Sequence, residues 1–197
     1  MTVVIIGASG HVGAAAAAAL RPHHDLVEVG RSTQPPVDLE QPDSIQALFA
    51  EIGSVDAIVS TVGHVPFLPL EDLSRDDYLR AFTGKVLNQI DLVRIATPFV
   101  RDGGSITLTS GVVGRVPIAA GVAAAMANGA VEAFVRAAAV ELPRGIRINV
   151  VSPNVLATAE AFHSSFPGLS PVSDHVVGQA FRRAVDGLST GEVLAAD

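Results

Sequence analysis

Gly7, Gly10 and Gly13 are the first residues of this chain with the types and spacing to do chemistry. They stand in GASGHVG, directly after the β-branched run Val3–Ile6 and directly before the alanine run Ala14–Ala19. The first run predicts a parallel strand covered on both faces, and the alanines predict a helix. A helix start offers free N–H groups and a partial positive charge, which suits phosphate. Glycine lets the backbone approach a pyrophosphate closely. Gly7, Ser9, Gly10, His11, Val12 and Gly13 are therefore the candidate cradle of a dinucleotide. The side chain of His11 is assigned no chemistry. The plain alternative is a structural strand-to-helix turn.

Arg31, in VGRS, is the next candidate. An acidic residue at the end of the second strand would accept from an adenosine ribose 2′-hydroxyl. A guanidinium instead offers a fork of donors to a 2′-phosphate. Ser32 adds a hydroxyl donor, and Glu28 lies too early in the strand to reach the ribose. The expected cofactor is NADP(H) rather than NAD(H). The alternative for Arg31 is a solvated surface arginine.

These residues need elements to position them. Strand patterns are read at 3–6, 26–29, 37–39, 57–59, 105–108, 146–151 and 192–194. Helical patterns are read at 14–19, 44–52 with Asp43 as cap, 75–100 with interruption, 119–141 and 173–187. The alternation predicts an α/β fold, a doubly wound parallel sheet with helices on both faces, as one domain over 1–197. Ligands then sit beyond the carboxyl ends of the strands. Those ends are 7–13, 30–32, 38–39, 60–63, 109–111 and 152–158.

Composition narrows the partners. The net charge is −7 without a basic stripe, so nucleic acid is not expected. There is no cysteine, and the six histidines lack metal-ligand spacing, so no metal is expected. No apolar run approaches the ~20 residues that span a bilayer, and the start resembles no signal peptide. A cytoplasmic protein without membrane association is the expectation.

Five segments in order resemble the short-chain dehydrogenase/reductase family. They are GASGHVG, DAIVSTVG at 56–63, GGSITLTSG at 103–111, AVELPRGIRINVVSPNVLAT at 139–158 and TGEVL at 190–194. The resemblance covers nearly the whole chain and implies a Rossmann-like fold and oxidoreductase activity on a small carbonyl or alcohol. It implies that Asp38 and Leu39 lie on the adenine side, although Asp38 reads equally as a turn or cap residue. It places Ser60, Thr61, Val62 and Gly63 beside the cofactor, with Ser60 and Thr61 replacing two asparagines. Pro153, Asn154, Val155 and Thr158 match the family's segment after the strand at 146–151. A homodimer or homotetramer through the alanine-rich helix is also implied.

The family's catalytic positions hold other residues. The serine slot falls on Gly111, the tyrosine slot on Ala124, the lysine slot on Asn128 and the asparagine slot on Lys85. The chain has one tyrosine, Tyr78, and one lysine, Lys85, and no Y-x-x-x-K anywhere. Lys85 is the candidate replacement, reaching the nicotinamide ribose or a substrate oxygen. A surface lysine is its alternative. Ser110 is the candidate stand-in for the serine, or else a hydroxyl closing the strand end. Phe162, His163 and Phe166, in a short lid region, are candidates to wall an apolar substrate pocket. A catalytically inactive NADP(H)-binding sensor or regulatory protein is the competing reading.

Overall fold

The computed structural model describes all 197 residues. Six strands form one parallel sheet: β1 (Thr2–Ile6), β2 (Asp25–Val29), β3 (Val55–Ser60), β4 (Val100–Thr109), β5 (Arg147–Pro153) and β6 (Val193–Ala196). Their order is β2-β1-β3-β4-β5-β6. The chain winds outward in opposite directions from the β1/β3 pair. A crevice opens there, at the strands' carboxyl ends.

Helices cover both faces. They are α1 (His11–Leu20), α2 (Pro42–Ile52), α3 (Arg75–Ala81), α4 (Asn88–Ala96), α5 (Val122–Ala138) and α6 (Asp174–Asp186). Val3 and Ile5 of β1 join a core with Ala16 of α1 and Phe181 of α6. Val4 and Ile6 face the other way, toward Phe49 of α2, Leu92 of α4 and Val131 of α5. Successive strand residues point to opposite faces, so burial on both sides requires the continuous apolar run the sequence shows. The alanines of α1 serve close packing. A Cβ added to Gly178 of α6 would lie 2.6 Å from the Ala15 carbonyl oxygen and 2.8 Å from Ala19 Cβ.

Several expected elements are corrected. Residues 37–39 form no strand. Val37 and Leu39 are buried, which explains the apolar pattern, but β2 is the sheet's edge and no strand pairs there. Pro35 and Pro36 precede them without backbone donors. Asp43 does not cap α2: Gln41 holds that position and Pro42 occupies the first turn. The helical region 75–100 breaks into α3, a π-helical segment at Phe82–Leu87, α4 and a short 3₁₀ turn. Ser74 and Asp77 cap α3 reciprocally. The alanine-rich helix runs over 122–138 rather than 119–141. No helix is long and apolar enough to cross a membrane.

Candidate functional site

Gly7 leaves β1 with φ +88°, a conformation that L side chains rarely adopt. A Cβ on Gly13 would stand 2.1 Å from the Gly7 carbonyl oxygen, so only glycine lets α1 start hard against the turn. Gly10 is the N-cap of α1, and no side chain caps the helix. The Ala14 N–H bonds back to the Gly10 carbonyl at 2.8 Å. The N–H groups of His11, Val12 and Gly13 precede it in the first turn, where a helix has no partners to offer. They are ready donors for an anion, and the helix dipole favours one.

A cleft of about 460 Å³ runs from this turn across the carboxyl ends of β2, β1 and β3. Gly7, Ser9, Gly30, Arg31, Asp38, Leu39, Val62, Gly63, His64, Gly84 and Asn88 are among its walls. A second recess beside it is lined by Ser9, Glu28, Arg31, Ser32 and Thr33. Arg31 is exposed and makes no ion pair or hydrogen bond, so its guanidinium is free to meet a ligand. Glu28, the carboxylate nearest in sequence, is held by Arg21 at 2.5 Å.

Other predicted residues support the loops. Asp38 Oδ1 accepts the Glu40 N–H at 3.1 Å, and the Asp38 N–H donates to Ser44 Oγ. Asp38 thus shapes a turn while it lines the cleft. Thr61 Oγ1 donates to the carbonyls of Ile6 and Gly7, which locks the glycine turn against β3. The Ser60 hydroxyl is buried with no partner. At Gly63 a Cβ would lie 2.9 Å from Lys85 Cγ, so this glycine makes room for the lysine stem. Beyond β5, Asn154 donates to the Ser170 carbonyl and accepts the Val155 N–H. Thr158 Oγ1 donates to Asp174 at 2.9 Å, fastening the loop to α6. Pro153 ends β5.

An apolar hollow of about 290 Å³ lies between the start of α1 and that loop. Gly10, His11, Val12 and Thr61 form one side, and Val155, Leu156, Ala159, Phe162 and Phe166 the other, joined by Phe67. His163 is not a wall, because its ring bonds to the Leu156 carbonyl at 2.9 Å. Phe67 escapes sequence reasoning: it sits in a proline-flanked loop without period.

The catalytic slots converge as a different set of groups. Lys85 stands in the π-helical segment, its stem over Gly63 and its Nζ donating to the Ser110 carbonyl at 3.1 Å. Burial pushes its pKa down from 10.5 to about 8, and the Glu132 carboxylate opposes that fall. Ser110 Oγ donates to Glu132 Oε1 at 2.8 Å. Arg136 approaches the other carboxylate oxygen at 3.7 Å. The Asn128 amide packs over Gly111, and its Oδ1 is buried without a partner. Gln89 closes the end of β4: it accepts the Thr109 N–H at 2.9 Å and donates to the Thr109 carbonyl at 3.0 Å. Sequence reading passes over Glu132. Its one signal is the i, i+4 step from Asn128 on a helix of small apolar residues.

Comparison with known proteins agrees with this geometry. Residues 7–193 match the family model described as enoyl-(acyl carrier protein) reductase, a short-chain dehydrogenase type. An uncharacterized oxidoreductase of Methylorubrum extorquens is 32% identical over 122 residues, 61% of this chain and 49% of that protein. A cyclopentanol dehydrogenase of Comamonas is 31% identical over 118 residues, 58% of this chain and 47% of that protein. The chain thus spans about half the length of these relatives over the matched region. The crystal structure of lin1944 from Listeria innocua superposes with a TM-score of 0.97 at 41% identity, each chain covered completely. A small-chain dehydrogenase in complex with NADPH superposes at 0.85 with 25% identity, covering 100% of this chain and 96% of that one. With its parallel sheet, its glycine turn and these matches taken together, the chain belongs to the short-chain dehydrogenase/reductase family of oxidoreductases.

Proposed function

We propose that this protein is an NADP(H)-dependent oxidoreductase acting on a small apolar carbonyl or its alcohol. The observation that carries the cofactor choice is Arg31, which stands on the wall of the cleft with no acidic partner. The uncapped start of α1 suits the pyrophosphate, Arg31 and Ser32 the 2′-phosphate, and Leu39 an apolar contact for the adenine. The similar dehydrogenase that holds NADPH supports the same choice. When bound, the nicotinamide supplies hydride to a carbonyl carbon. The protein's part is to exclude water, hold the substrate and move one proton. The apolar hollow under Phe67, Phe162 and Phe166 favours an uncharged substrate without many hydroxyls. Lys85 Nζ has three N–H groups and gives one to Ser110, so two remain for a substrate oxygen or a ribose hydroxyl.

Fluorescence titration with NADPH and NADH, followed by nicotinamide oxidation against a panel of apolar carbonyls, tests this. Tighter binding of NADPH with turnover of at least one carbonyl is expected. Tighter binding of NADH overturns the role of Arg31. NADPH binding with no turnover across the panel overturns the oxidoreductase reading.

A further inference from the structure

Glu132 is a carboxylate only 6% exposed, and nothing in the cofactor cleft requires it. A buried carboxylate is unfavourable unless it is paired and hydrogen-bonded. Its partners are Ser110 Oγ at 2.8 Å and, at 3.7 Å, the largely exposed Arg136. The same Ser110 offers its carbonyl to Lys85 Nζ. One residue at the end of β4 therefore joins the chain's only lysine to a buried carboxylate. Three separate elements meet to do this: the π-helical segment, the end of β4, and α5. Gln89 and the Thr109 hydroxyl, which bonds to the Ser60 carbonyl, fix the strand end on which Ser110 sits.

We propose that Glu132 is a positioning residue for proton transfer: through Ser110 it keeps the Lys85 ammonium charged and oriented to deliver a proton to the substrate oxygen. This rests on the oxidoreductase reading above. In the transfer, an Nζ–H bond breaks and an O–H bond forms on the substrate oxygen. The electron pair of the broken bond stays on Nζ. The carbonyl is reduced by the hydride of a reduced nicotinamide dinucleotide, and solvent returns a proton to Nζ.

Two opposed effects tune the donor. Desolvation weakens the ammonium's hold on its proton, and the Glu132 charge strengthens it. The balance near 8 suits both giving and regaining a proton at ordinary pH. Other charged groups on the elements packed around Lys85 are Arg136 on α5, Arg115 beyond β4, His64 beyond β3, Arg75, Asp76, Asp77 and Arg80 on α3, and Asp91 and Arg94 on α4. Arg115 is paired with Asp197, and Asp77 with Ser74 and Arg80. Asp91 is paired with Arg94, and Glu132 is the carboxylate whose charge acts on Lys85.

The single lysine makes the test direct. Lysine labelled with ¹³C at Cε gives one resonance, and its pH titration reads Lys85 alone, without dinucleotide or turnover. A midpoint near pH 8 is expected. Glu132→Gln preserves the shape and is expected to lower the midpoint by about one pH unit. The basic limb of the carbonyl-reduction profile should move with it. Glu132→Asp restores the charge and should bring the midpoint back. The exposed Arg136→Gln, which leaves the buried pair in place, should raise it. A midpoint unmoved in Glu132→Gln overturns the proposal. So does a reduction profile that stays put while the midpoint moves. NADPH titration of the same samples separates this outcome from failure of the cofactor reading: absent NADPH binding defeats that reading while the Lys85–Glu132 coupling is still measured.

Discussion

Burial works against the charge of Lys85, and that opposition has a measurable sign. The fold lowers its pKa from the ordinary 10.5 to about 8, so between those values the unfolded chain holds more protons than the folded one. Stability therefore rises with pH across this window, and below it the whole penalty is present. The penalty is on the order of 3 kcal/mol at neutral pH. Lys85→Met is expected to be the more stable protein at neutral pH, and its advantage should shrink as pH rises toward 10.5. Denaturant unfolding of both proteins across that range is the check, and a constant difference would refute it. Arg31 makes the opposite kind of residue-scale prediction. Its guanidinium is free in the fold, so Arg31→Ala should leave stability unchanged. Loss of a charge-assisted contact of ~1.5–3 kcal/mol should weaken NADPH binding by about 10- to 100-fold. NADH affinity should not change, and calorimetry with both cofactors separates the two effects.

At the scale of elements, the end of β4 depends on a side chain in place of a strand. β3 pairs with β4 as far as Val59 and Thr107, and Gln89 of α4 takes over at Thr109. Its amide satisfies both the N–H and the carbonyl of a buried residue. Gln89→Leu leaves those groups unpaired and should cost about 1–3 kcal/mol. It should also loosen Ser110, so the Lys85 resonance should shift and broaden. A thermal melt with unchanged midpoint would count against this account. The alanine run reads directly as a helix, and the glycine turn reads directly as its start. The π-helical segment does not, because FTGKVL carries no local pattern that separates i→i+5 hydrogen bonding from an ordinary α-helix. Residues 37–39 mislead for a related reason: burial without a pairing strand produces the same apolar pattern as a strand.

α3, the π-helical segment and α5 pack against one another and carry exposed apolar side chains. Leu79, Phe82 and Leu87 are exposed there, together with Val122 and Met126. We propose that this face joins two copies of the chain. Light scattering at micromolar concentration should then give a dimer or tetramer, and Met126→Glu should shift it toward monomer. A monomeric wild type would refute the proposal.

Order along the chain was enough to establish a parallel α/β sheet, the glycine turn and the absence of the tyrosine–lysine pair. Those features are local, carried by periodicity, residue type and spacing within single segments. The placement of Lys85 against Ser110, and of Ser110 against Glu132, was decided only by tertiary structure. The three residues lie 25 and 22 positions apart. No periodic pattern links them, and their proximity exists only once the sheet has brought β4 between the π-helical segment and α5. Gly63 shows the same division. Its place beyond β3 was legible, but its purpose was not, because the side chain that needs the space belongs to another element.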